Sequence, residues 1–205
     1  MGYKVIDVLF PVMIHFLALQ CGILLGGSEW DGTLRASFAA IVTLPFMWNA
    51  YRNDRAMWKK DKKNIAWYAI PLTMAGACIL NQVLSSLIFM ITAGFGFSNA
   101  AQEELLAGEF LMQIIGLGIL VPFVEEILFR GLVYGKLERY LSPGTAVIVG
   151  AALFAIYHGN IIQMLFAFPM GITLNLLYRH YGGLLMPFLF HASSNLGAVL
   201  LEMQI

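Results

Sequence analysis

Seven apolar stretches recur along this chain, at residues 5–25, 33–51, 65–92, 110–135, 145–162, 163–178 and 184–201. Each approaches the roughly 20 residues that a helix needs to cross a hydrocarbon core about 30 Å thick. The pattern predicts an all-α fold, a polytopic membrane helical bundle with about seven transmembrane helices. The last three stretches are short enough for one of them to be a tilted or partly buried segment. Composition argues against a soluble fold: 60% of the residues are hydrophobic and only 12% are charged, where soluble domains carry about a quarter charged residues.

Lys and Arg number 12, as do Asp and Glu, so the net charge is zero and no global field would recruit nucleic acid. The placement of the charges is more informative. Arg52, Arg55, Lys59, Lys60, Lys62 and Lys63 gather in one short connection, which predicts a cytoplasmic position for loop 52–64. Threading from it puts Lys4, Lys136, Arg139 and Arg179 on the same side. Glu29, Asp31, Glu103, Glu104 and Glu109 fall on the other, with Arg35 the outlier. The first apolar run lacks a small-residue cleavage pattern and reads as a retained span. No internal repeat or linker divides the chain, which predicts a single membrane domain over 1–205. Segment 94–108 reads as a surface loop or short interfacial helix, one placed to cap a site within the bundle. Cys21 and Cys78 lie in separate spans, without disulfide or metal-ligand spacing, and read as small buried hydrophobes. Trp30, Trp48, Trp58 and Trp67 suit interfacial anchors near span ends.

An ionisable side chain in hydrocarbon costs at least about 2.5 kcal/mol, so each one needs partners or a water-filled cavity. The fourth stretch nevertheless runs Phe123-Val124-Glu125-Glu126-Ile127-Leu128-Phe129-Arg130. The fifth carries His158, and the seventh carries His191 and Asn195. Residues four apart stack on one helix face, whereas adjacent residues diverge. Glu126 therefore pairs with Arg130, and Glu125 faces elsewhere without a local cation, free to take a proton from water. His191 and Asn195 share a face and suit an oxyanion hole. Counting 1.5 Å per residue from the nearest loop puts Glu125 roughly 16 Å deep, Asn195 roughly 20 Å and His158 roughly 22 Å, at compatible levels.

Each feature alone has a plainer reading: Glu126 and Arg130 as packing glue, His158 as a satisfied core histidine, His191 and Asn195 as an interhelical pair. Two carboxylates, a guanidinium, two histidines and an amide together are costly for glue alone. His15 and His180 lack such company and read as structural or solvated.

The motifs Glu125-Glu126-x-x-x-Arg130, Phe154-x-x-x-His158 and His191-x-x-x-Asn195, in this order, resemble the CAAX-protease and bacteriocin-processing family of intramembrane proteases, related to type II CAAX prenyl endopeptidases. The resemblance covers about 110–200, a catalytic core region carrying all three motifs, with the Gly182-Gly183 turn. It implies an intramembrane endopeptidase acting on membrane-associated or prenylated peptide or protein substrates, with the lipid bilayer as its surroundings. It also implies roles: Glu125 activates water with His158, Glu126 and Arg130 support the site, and His191 with Asn195 stabilises the oxyanion. Zn²⁺ held by Glu125, His158 and His191 is the competing mechanism, with metal-free glutamate chemistry favoured because no short His-x-x-x-His spacing is present. An inactive immunity or binding protein of the same fold is the alternative from another class, and a proton-coupled carrier a weaker one. A short chain of this kind suggests a prokaryotic cell membrane.

Overall fold

Capping residues and prolines set where the helices begin and end. Asp31 Oδ1 accepts the Leu34 amide at 2.8 Å, Ser142 caps a helix that opens on Pro143, and Asn160 Oδ1 accepts the amides of Ile162 and Gln163. Each supplies an acceptor to amides that a helix start leaves unpaired. The computed structural model describes residues 2–57, 61–92, 103–104 and 106–202. Within them run α1 (Gly2–Gly26), α2 (Gly32–Met57), α3 (Ala69–Thr92), α4 (Phe110–Tyr140), α5 (Pro143–Tyr157), α6 (Ile161–Tyr181) and α7 (Leu185–Glu202). No strand occurs among the described residues. The all-α helical bundle expected from the apolar pattern is what forms, and the chain is an integral membrane protein. Among the described residues four helices, α1, α3, α4 and α6, are long and apolar enough to cross a membrane, while α5 and α7 are shorter.

Helix α4 is the centre of the bundle, contacting α1, α2, α5, α6 and α7. Its Val124, Ile127, Leu128, Leu132 and Val133 are fully buried. It is also wound unusually: over Gln113–Leu120 and Glu126–Tyr134 the backbone bonds close five residues apart rather than four, on either side of an α-helical Val121–Glu125. Such widened turns are rare and often accompany functional sites. Small residues let neighbours approach there. A Cβ on Gly131 would lie 2.6 Å from the Tyr51 ring, and one on Gly116 would lie 2.4 Å from Ser37 Oγ.

The sequence-derived boundaries shift in three places. Arg52 and Arg55 lie on the last turns of α2 rather than in a loop, and α4 runs on to Tyr140, which places Lys136 and Arg139 on the helix. The break expected at 162–163 falls at 158–160, because Gly159 takes φ 67° and Asn160 caps the next helix. Loop 94–108 lies mostly outside the described residues, as do Trp58, Lys59 and Lys60. Cys21 and Cys78 are exposed on the helix surface, so they are not the buried hydrophobes expected.

Ionic contacts gather the basic residues at one end. Pro11 has no amide to offer the Asp7 carbonyl four residues before it, and Lys136 Nζ takes that oxygen at 2.9 Å and the Asp7 carboxylate at 2.7 Å. Arg139 meets Asp54 at 3.4 Å and Arg179 meets Glu138 at 3.8 Å. The start of α1 and the ends of α2, α4 and α6 thus share one face of the bundle.

Candidate active site

A cavity of about 930 Å³ opens between the helices, and its lining includes Asn81 of α3, Glu125 of α4, Phe154, Tyr157 and His158 at the end of α5, and His191, Ser194 and Asn195 of α7. Most of its remaining lining is aliphatic or aromatic. Glu125, His158, His191 and Asn195, expected to converge from separate spans, all reach it. Glu126 and Arg130 do not line the cavity; both are fully buried behind it.

His158 sits just past the last turn of α5, where carbonyls lack intrahelical partners. Its Nδ1 lies 2.8 Å from the Phe154 carbonyl. A carbonyl only accepts, so Nδ1 carries the proton and Nε2 keeps its lone pair.

His191 joins the two carboxylates of α4. Its Nδ1 donates to Glu126 Oε1 at 2.8 Å, and its Nε2 lies 3.6 Å from Glu125 Oε2. The adjacent glutamates, which point apart as expected, are thereby presented to two sides of one imidazole. Donation from Nε2 into the cavity requires the ring to be protonated on both nitrogens.

Arg130 contacts Glu126 at 3.3 Å through Nε, four residues on. None of its three nitrogens finds an aligned hydrogen-bond acceptor among the described residues. Its guanidinium instead lies over the Phe154 ring, 4.2 Å from the centroid, where the ring face attracts a desolvated cation. Phe154 also meets the rings of His158 and His191 edge-on, at 4.9 and 5.8 Å. The aromatic residue that opens the second motif therefore packs between the cation of the first and the histidines of the second and third.

Asn195 donates Nδ2 to the Leu117 carbonyl at 2.9 Å. That oxygen is available for a local reason. In the widened turn the Val121 amide bonds Gly116, and the next amide in register belongs to residue 122, a proline without one. One amide hydrogen of Asn195 fixes the side chain, and the second remains for a cavity ligand.

Reasoning from sequence missed several residues in the cavity wall or behind it. His15, read as structural or solvated, is buried, and its Nδ1 is hydrogen-bonded to the Tyr157 hydroxyl. Asn81, polar within an apolar run, accepts from Ser194 Oγ at 3.4 Å; that polarity was the available signal. His180 is exposed, as expected. Among the described residues no three His, Cys, Asp or Glu side chains converge at metal-ligand spacing. The zinc set of Glu125, His158 and His191 does not fit a metal as arranged.

Residues 107–197 match the family model described as type II CAAX prenyl endopeptidase Rce1-like. The chain is similar to the membrane-embedded CAAX protease MroQ of Staphylococcus aureus, 27% identical over 67% of this chain and 58% of that protein. It resembles YpbD of Bacillus subtilis, an uncharacterized protein, at 23% identity over 75% of this chain and 77% of that one. YdiL of Bacillus subtilis is 27% identical over 45% of this chain, which spans 38% of its length. The chain thus spans less than two thirds of two of these relatives. No solved structure gives a significant match. The three motifs all lie within the matched segment, so it is residues 107–197 that carry the chain's similarity to the Rce1-like CAAX-protease family.

Proposed function

We propose that the chain is an intramembrane endopeptidase that hydrolyses peptide bonds of membrane-associated substrates with a water activated by Glu125. The observation that carries this reading is the placement of the Glu125 carboxylate, the bare Nε2 of His158, the His191 ring and the spare amide hydrogen of Asn195 on one membrane-buried cavity. Residues 110–200 form the catalytic core in this reading.

Glu125 takes a proton from water held with His158, and the hydroxide attacks the scissile carbonyl. The developing oxyanion accepts from Asn195 Nδ2 and from His191 Nε2 in the imidazolium form. Collapse of the intermediate breaks the C–N bond, and Glu125 returns its proton to the leaving amine. Glu126 holds His191 through Nδ1, while Arg130 neutralises Glu126 from behind. Substrates are membrane-anchored peptides, prenylated CAAX-type tails among them, entering with their apolar portion against the aliphatic lining. The basic end of the bundle faces the cytoplasm of a prokaryotic cell.

The test compares new protein N termini in membranes of cells carrying the native protein or Glu125→Gln. Fragments present with the first and missing with the second support the reading. Identical fragment sets overturn it in favour of a binding or immunity role.

A further inference from the structure

Helix α1 lies outside the segment matched to the family, yet it sends a histidine to Tyr157 of the cavity wall. His15 is 4% exposed and its Nδ1 is bonded to the hydroxyl of Tyr157, the last residue of α5. His15 Nε2 is buried and has no hydrogen-bond partner among the described residues. Tyr157 lines the cavity, and its ring is fixed edge-on against Phe129 at 5.3 Å and tilted against His15 at 5.8 Å. Tyr157 and Glu125 line the same cavity.

The orphaned nitrogen decides the direction of the hydrogen bond. A neutral imidazole carries one N–H and one lone pair. A buried N–H without an acceptor is the rarer orphan and an under-used acceptor the more tolerable one, so the proton belongs on Nδ1. His15 then donates to the Tyr157 oxygen. The hydroxyl hydrogen of Tyr157 is left to point away from His15, toward the cavity.

We infer that Tyr157 is a further hydrogen-bond donor to a substrate carbonyl oxygen beside Glu125, and that His15 is the positioning residue that turns its hydroxyl into the cavity. This rests on the peptidase reading above. It extends the working site beyond the three motifs to α1.

The test follows the membrane fragments whose appearance depends on Glu125. Tyr157→Phe, which keeps the ring, slows their formation about 10²-fold, the typical loss for one transition-state donor. His15→Leu slows it equally, and His15→Asn, whose amide replaces the Nδ1 donor, restores most of the rate. The double variant Tyr157→Phe with His15→Leu is no slower than Tyr157→Phe alone, because His15 acts through that hydroxyl. Native rates in Tyr157→Phe, or additive losses in the double variant, overturn the inference while leaving the Glu125 result standing. Nitrogen NMR of histidine-labelled protein gives a readout that needs no substrate. A proton on Nδ1 of His15 supports the arrangement, and a proton on Nε2 alone refutes it.

Discussion

Asn195 on α7 donates to the Leu117 carbonyl on α4, an acceptor released by the coincidence of a widened turn with Pro122. The bond fixes the distance between the helix bearing Glu125 and the helix bearing His191. It also uses one of the two amide hydrogens, so the proposed oxyanion role falls to the second. Asn195→Asp separates them poorly, since it removes both donors and sets a carboxylate against a carbonyl. The expected outcome is a loss of turnover of about 10²–10³-fold, the typical value for an oxyanion-hole donor, with a lowered thermal midpoint. Fragment formation at native rate would show that the amide donates to nothing in the reaction.

Glu125→Gln keeps shape and hydrogen-bonding capacity and removes only the proton acceptor. Turnover should fall by at least about 10²–10⁴-fold, the range for a positioned general base, with the thermal midpoint in detergent unchanged. Proteolysis near the native rate would remove Glu125 from the mechanism.

Arg130→Ala exposes a different weakness. Glu126 and Arg130 are both wholly buried, in contact at 3.3 Å, and removing one partner of such a pair costs about 3–5 kcal/mol. Arg130→Lys rescues only part of this loss, because an ammonium replaces the planar group over Phe154. A midpoint in Arg130→Ala equal to the native one would mean that Glu126 is held neutral by His191.

Gly131→Ala tests the close approach of α4 to α2. The new methyl would sit 2.6 Å from Tyr51 Cδ2 and 3.0 Å from Cε2, and the Tyr51 side chain is buried. The ring has little room to yield, so an overpacking loss of about 1–3 kcal/mol is expected. Thermal unfolding of the variant in detergent measures it.

What the sequence makes readable, and what it leaves hidden, divides along physical lines. Apolar length announces a membrane helix residue by residue, and Glu125, Glu126 and Arg130 stand out because hydrocarbon tolerates no idle charge. His191 and Asn195 share a face because a helix repeats. The widened turns of α4 have no comparable signature, and without them the free Leu117 carbonyl is invisible. His15 meets Tyr157 across 142 positions of sequence, through the packing of α1 on α4 and α5, and a lone histidine in an apolar run does not announce its partner. Helices α2 and α4 run further than their apolar stretches suggest. The basic residues at their ends resemble a loop, whereas they prolong helices whose charges pair with Asp54 and Asp7.

Glu125, His158 and His191 are also residue types that bind zinc. In the glutamate scheme each imidazole keeps Nδ1 on a protein acceptor and works through Nε2. His158 Nδ1 is spent on the Phe154 carbonyl, His191 Nδ1 is spent on Glu126, and His191 Nε2 faces Glu125 at 3.6 Å. Purified active protein should then carry no stoichiometric zinc, and strong chelators should leave fragment formation intact. A zinc enzyme behaves otherwise, since its nucleophile is metal-bound hydroxide and removal of the ion removes the reaction. His158→Ala and His191→Ala would each lose metal as well as activity. Elemental analysis beside an activity measurement separates the two. One zinc per chain, with activity lost on chelation and restored by zinc, would replace the glutamate scheme; His191 would then bind through Nε2 while Nδ1 keeps Glu126, and the nitrogen spectrum of His191 would report the change at Nε2.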